Sequence, residues 1–85
     1  MVLKNWKKVG YSGAHPNQET IASWMRLDKT GRVTGTIRIY TSSYIFGIGK
    51  RFFVEIVADE IGVRVFLFRT LEEAKNFVKK FMKKY

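Results

Sequence analysis

In the stretch RVTGTIRIYT, residues 32–41, apolar residues and one glycine alternate with polar or amphipathic residues. A period of two is typical of a β-strand with one buried face, because successive side chains point to opposite sides of a sheet. We therefore predict a half-buried strand here. One face would hold Val33, Gly35, Ile37 and Ile39, and the other Thr34, Thr36, Arg38 and Tyr40.

Segments of similar character lie on both sides of this strand. TIASWMRLD at 20–28, RFFVEIVA at 51–58 and VRVFLFR at 63–69 are rich in β-branched and large apolar residues, which favour strands. KTG at 29–31 and DEIG at 59–62 separate them and are typical of tight turns, where glycine accepts a positive φ. The pattern predicts consecutive antiparallel hairpins.

The N-terminal third gives weaker signals. LKNWKKVGY at 3–11 is compatible with a short strand, and SGAHPNQE at 12–19 is predicted to be a loop because it holds the only proline. His15 and Glu19 form a His-x-x-x-Glu pair, but one such pair in a loop is not the ligand set of a metal site. We predict neither a metal nor a cofactor.

The C-terminal segment TLEEAKNFVKKFMKKY, residues 70–85, changes to the period of a helix. Thr70 and Glu73 form a capping box, in which two unpaired N–H groups are satisfied. Acidic residues in the first turn and lysines in the last turn both suit the helix dipole. The apolar stripe consists of Leu71, Ala74, Phe77, Val78, Phe81 and Tyr85.

These elements predict one domain over residues 1–85, of the α+β class. We expect an antiparallel meander sheet of four to five strands, followed by one C-terminal helix packed on one face. This order resembles the architecture of the whirly family of single-strand-binding proteins, although no motif of that family is matched residue by residue. The resemblance therefore concerns the fold alone.

A single helix leaves the other face of the sheet uncovered. For residues 20–28 both faces are partly apolar, and we adopt the phase that turns Ile21, Met25 and Leu27 inward, with Ala22 outward. The helix is then expected to lie on Val33, Ile37, Ile39, Phe52, Val54, Ile56, Val63, Val65 and Leu67. The uncovered face would combine the rings of Trp24, Tyr40, Phe53, Phe66 and Phe68 with Arg26, Arg38 and Arg64, beside Thr34, Thr36, Glu55 and Val57.

The charge balance indicates a polyanionic partner. Sixteen Lys and Arg against seven Asp and Glu give a net charge of +9 and a pI near 10.1. Such a surface attracts nucleic acid first and an anionic membrane second. We expect no membrane partner, because the apolar stripe of the helix is needed for the core. A signal peptide and a membrane span are not recognisable, so the cytoplasm is the expected location.

Motifs of catalysis are not found. The sequence Gly47-Ile48-Gly49-Lys50 has the wrong spacing for a P-loop, and the few carboxylates have structural roles in turns and caps. We therefore expect a binding protein and not an enzyme, most simply a homodimer that binds single-stranded DNA or RNA with little sequence preference. Bases would stack on exposed rings and arginines would hold phosphates. The predicted contacts are Trp24, Arg26, Arg38, Tyr40, Lys50, Arg51, Phe53, Arg64 and Phe66.

A second interpretation stays open. The aromatic face is also compatible with pure dimerisation or with docking on another protein, without any nucleic acid, although a dimer could still leave a groove for a nucleic-acid strand. The connection SSYIFGIGKRFF, residues 42–53, either folds back on the core or projects as an apolar finger toward a partner. Arg38 and Arg64 lie in strand interiors, so we expect them to face solvent or to pair with a ligand or with Glu55. We expect these two arginines to contribute more to nucleic-acid affinity than Lys83 and Lys84.

Overall fold

The computed structural model describes residues 6–10, 18–42 and 51–85. These residues form five strands and one helix, which confirms the predicted α+β fold. The predicted finger at 44–48 and His15 lie outside the described residues. The bounds are β1 Trp6–Val9, β2 Gln18–Leu27, β3 Val33–Ser42, β4 Phe52–Ala58, β5 Gly62–Phe68 and α1 Leu71–Lys84.

The five strands form one sheet in the order β1-β2-β3-β4-β5, with every neighbouring pair antiparallel. Short turns enforce this meander. In the β2–β3 turn, one carboxylate oxygen of Asp28 accepts hydrogen bonds from the N–H groups of Thr30 and Arg32, and Gly31 has a φ of 88°. Hydrogen bonding from Thr30 also holds the pKa of Asp28 below its ordinary value. The hairpin predicted at 29–31 is confirmed.

Helix α1 closes the hydrophobic core on one face of the sheet. Its buried residues Ala74, Val78 and Met82 pack on β3 and β4. The hydroxyl of Thr70 accepts a hydrogen bond from the N–H of Glu73 at 3.1 Å, as the capping pattern predicts. Each fully buried aliphatic side chain contributes about 1.5–3 kcal/mol. The largest of them are Ile37, Ile39, Ile56, Val54 and Val78.

The predicted face assignments are correct for β3 and β4 but wrong for β5. The register pairs Val54 with Phe66, which places Phe66 and Phe68 under the helix. There the two rings contact Phe77, at centroid distances of 4.6 and 5.2 Å. Both faces of β5 are apolar, so alternation alone does not choose between them. The phenylalanines face inward because their rings bury more area than valine or leucine.

The predicted phase of β2 is also wrong. Trp24 pairs with Ile37, and Arg26 with Gly35, so both side chains lie on the helix side of the sheet. Met25 pairs with Thr36 on the opposite face. Register shifts interrupt the alternation between Thr20 and Ala22 and between Arg26 and Leu27. Of the aromatic–arginine face expected from the sequence, only Arg38, Tyr40 and Phe53 lie together on the face away from the helix.

The ring of Trp6 on β1 extends over β2 to Gly35 on β3, which has no side chain to block it. A Cβ atom on Gly35 would lie only 2.7 Å from Cη2 of Trp6. The indole also makes an edge-on contact with Phe81 at 6.1 Å and lies under the guanidinium of Arg26 at 5.1 Å. Gly35 is thus needed for the close approach of β1, β3 and the end of α1. Within the described ranges, no helix is both long and apolar enough to cross a membrane.

Replacing Gly35 by alanine should destabilise the protein by about 1–3 kcal/mol, because the added methyl group overlaps a ring held on several sides. Chemical denaturation would measure the loss. Gly10→Ala is the matched control, since a Cβ atom there meets no atom of the described residues within 4 Å. In a Trp6→Leu background the Gly35→Ala penalty should shrink, and an unchanged penalty would rule out the ring as its cause.

Candidate nucleic-acid interface

Most acidic residues of the chain are neutralised by arginines. Four of the seven acidic residues take part in salt bridges with Arg26, Arg32 or Arg38. The arginine network therefore leaves little charge for a ligand, and the net positive charge is carried mainly by lysines. The pairs are Arg26–Glu60, Arg32–Asp28, Arg32–Asp59 and Arg38–Glu55.

The sheet face away from α1, here called the open face, centres on Arg38. Arg38 is only 7% exposed, and its guanidinium lies 3.3 Å from the carboxylate of Glu55 and 4.1 Å from the ring centroid of Tyr40. The expected pairing of Arg38 with Glu55 is confirmed. By register, the open face contains Lys7, Val9, Ser23, Met25, Thr36, Arg38, Tyr40, Phe53, Glu55, Val57, Val63, Val65 and Leu67.

Tyr40 and Phe53, both predicted to stack on bases, stack on each other. Their ring centroids are 5.1 Å apart and the planes differ by 10°. Tyr40 is only 7% exposed. Burial, assisted by the charge of Glu55, raises the pKa of its phenol, while Arg38 opposes that rise. On the open face, the two rings therefore stack on each other, and Arg38 interacts with Tyr40 and Glu55.

Arg26 is a structural clamp on the other side of the sheet. It is 8% exposed and donates to both carboxylate oxygens of Glu60, at 2.6 and 2.8 Å. It also donates to Thr34 and to the main-chain oxygen of Tyr85. These bonds join β2, the β4–β5 turn and the end of α1. A buried charge needs several hydrogen-bond and ion-pair partners, and these bonds supply them, so Arg26 is tolerated beside the core.

Trp24 lies in a groove of about 520 Å³ between α1 and the β1–β2 edge of the sheet. We call this the Trp24 groove. The indole is partly exposed, unlike that of Trp6. Apolar lining comes from Ala22, Leu71, Val78 and Met82, and polar lining from Lys8, Glu72, Lys75, Asn76 and Lys79.

The rim of the Trp24 groove is positive. Lys8, Lys75 and Lys79 are exposed, and none of the three forms a salt bridge with a described residue. Among the described residues, Glu72 is the only acid on the rim. Lys8 is the direct cross-strand partner of Trp24, and Lys75 and Lys79 stand one helical turn apart. The groove combines a ring, an apolar floor and excess positive charge.

The remaining predicted contacts are dispersed. Arg64 is exposed on the edge strand β5 and donates to the carbonyl of Val63. Phe66 packs under α1, and Arg51 is half-buried just before β4. Lys50 lies outside the described residues. Of the eight predicted residues that the structure describes, Trp24 alone lines the groove.

The three groove lysines were not predicted from the sequence. The signal was present in the helical pattern, because Lys75 and Lys79 flank the apolar stripe on one side. To predict the groove from this pattern, the phase of β2 must also be known, because that phase places Trp24 on the same side of the sheet as the helix. The described residues hold no group of three or more His, Cys, Asp or Glu side chains that could share a metal ion. Comparisons with protein-family models, with curated proteins and with solved structures find no match.

The clamp of Arg26 predicts a dependence of stability on pH. Hydrogen bonding from Arg26 is the main reason why the pKa of Glu60 lies below its ordinary value of 4.5. A lowered pKa in the folded state stabilises the fold above the unfolded pKa, and this contribution is lost as pH falls through the folded pKa. Glu60→Gln should therefore lower the free energy of unfolding at pH 7 and weaken its decline below about pH 5.

Urea denaturation between neutral and acidic pH would measure both effects. Glu19→Gln is the control, because it removes an exposed carboxylate that forms no salt bridge with a described residue. If the two variants follow the same curve, the Glu60 carboxylate is not part of a stabilising clamp.

Proposed function

We propose that the protein binds nucleic acid through its helix side, with single strands favoured and with little dependence on sequence. The observation that carries this proposal is the separation of charge. The buried arginines, Arg26 and Arg38, are neutralised by acids, whereas lysines of α1 and β1 present positive charge around a partly exposed tryptophan. Phosphates of a nucleic acid would release counterions on binding such a surface.

This proposal keeps the function expected from the sequence and moves its location. Arg38, which we expected to exceed the helix lysines in importance, is buried in an internal ion pair. The helix carries Lys75, Lys79, Lys80, Lys83 and Lys84 on exposed positions. We retain two further predictions from the sequence, a binding role without catalysis and a cytoplasmic location.

Replacing Lys75 and Lys79 together by alanine should weaken binding of a single-stranded oligonucleotide. Two lost phosphate contacts should also reduce the slope of log affinity against log salt concentration by about 1.4, at roughly 0.7 per contact. Fluorescence anisotropy over a salt series would measure both quantities.

The control variant is Lys7→Ala with Lys29→Ala, which removes the same charge from exposed positions away from the helix side. Equal losses in the two double variants would show that net charge alone attracts the ligand. Absence of binding by the wild-type protein at low salt would end the proposal.

A second candidate function is self-association through the open face. Val63, Val65 and Leu67 are 60%, 53% and 51% exposed, and Val57 beside them is 40% exposed. Exposed apolar side chains gathered on one face are unusual on a monomer. They lie on β4 and the edge strand β5, next to the Tyr40–Phe53 stack.

A second copy of this chain fits this surface on grounds of charge. Two molecules of charge +9 repel unless their lysines are kept apart. On the open face around β4 and β5, the central charges of Arg38 and Glu55 already pair with each other. Two open faces in contact would bury the valines and leave the lysines of both helices on the outer surfaces, away from each other.

Replacing Val63 and Val65 by threonine keeps their branched shape but removes much of the apolar contact. The dissociation constant of the dimer should rise about tenfold or more, as judged from the apolar area lost. Sedimentation equilibrium would measure it. Arg64→Thr is the control, because residue 64 lies between the two valines but on the other face. A wild-type protein that stays monomeric up to millimolar concentration would exclude this interface.

A further inference from the structure

The Trp24 groove has the features of a site for one unstacked base of a single strand. Its volume, about 520 Å³, lies within the range of sites that enclose small organic ligands. Among the described residues, its floor is apolar with one aromatic ring, and its rim has three lysines against one glutamate. An apolar groove with a positive rim is matched by a ligand that is flat and apolar in the middle and anionic on both sides.

Trp24 lies between two sources of positive charge. Lys8 is opposite Trp24 on the outer strand β1, and α1, with Lys75 and Lys79, runs on the inner side over β3 and β4. A single-stranded nucleic acid that crosses the groove would therefore have a lysine on each side of the Trp24 ring. The stacking energy of a base on an exposed aromatic ring is sequence-tolerant, because every base has a π-face.

We propose that the Trp24 groove binds one base of single-stranded nucleic acid against the indole, with the flanking phosphates held by Lys8 on one side and by Lys75 and Lys79 on the other. This inference rests on the proposed nucleic-acid binding and adds the ligand's chemical class, an unpaired nucleotide. A duplex would not fill the site, because its bases are stacked and paired.

The decisive comparison uses the wild-type protein and two hexamers with equal numbers of phosphates, one of deoxythymidine and one made entirely of abasic residues. The thymidine hexamer should bind at least about fivefold more tightly, given the stacking of one base. It should also quench tryptophan fluorescence, whereas the abasic hexamer should not. Both hexamers should show the same salt dependence, since they make the same phosphate contacts.

The Trp24→Phe variant identifies the source of the quenching. Phenylalanine fills most of the same space, so the fold should be kept, and only Trp6 then contributes tryptophan emission. Loss of quenching with retained binding of the thymidine hexamer assigns the signal to Trp24. Trp24→Leu, which has no ring, should reduce the preference for thymidine over abasic residues toward onefold while salt-dependent binding persists.

Three results would overturn the proposal in distinguishable ways. Equal affinity for both hexamers, without quenching, would leave nucleic-acid binding in place and remove base stacking at Trp24. A short duplex that binds as tightly as the thymidine hexamer, with the same quenching, would remove the preference for an unpaired base. Failure of both hexamers to bind at low salt would overturn this inference together with the proposed function.

Discussion

The width of one helix governs the rest of this structure. Five strands spaced by 4.7–4.9 Å make a sheet about 19 Å wide, whereas a helix with its side chains is about 10–12 Å across. Helix α1 therefore closes the core over β3, β4 and β5, and two regions of the sheet are covered by no other described element. One is the β1–β2 margin of the same face, where the Trp24 groove lies. The other is the whole open face.

The sequence predicted the elements and their order because local signals agreed. The strict alternation of residues 32–41, the turn around Gly31 and the Thr70 cap each specify a conformation within a few residues. The face of β5 was not predictable in the same way, because Val65 and Phe66 are both apolar and either phase satisfies a period of two. The choice depends on the fit of Phe66 and Phe68 against Phe77, a contact between different elements.

The candidate site was less predictable than the fold for a related reason. The availability of an arginine depends on its partners, and Arg26 finds Glu60 34 residues away. Sequence alone gives Arg26 and Arg38 a positive charge, but the structure neutralises both and buries them. Lysines on an amphipathic helix are usually interpreted as a solvated face. Their significance here depends on Trp24, which reaches the same groove only with the observed phase of β2.

The fold also determines which surfaces are free to bind a partner and whether two partners can bind at the same time. The apolar stripe of α1 is buried against the sheet through Ala74, Val78 and Met82, so it is not free to lie in a lipid interface. The open face and the Trp24 groove, by contrast, occupy opposite sides of the sheet, and occupation of one does not block the other. A dimer through the open faces would carry two grooves on its outer surfaces. One strand that reached both grooves would then bind with a higher effective affinity than either groove alone, because the second contact becomes intramolecular.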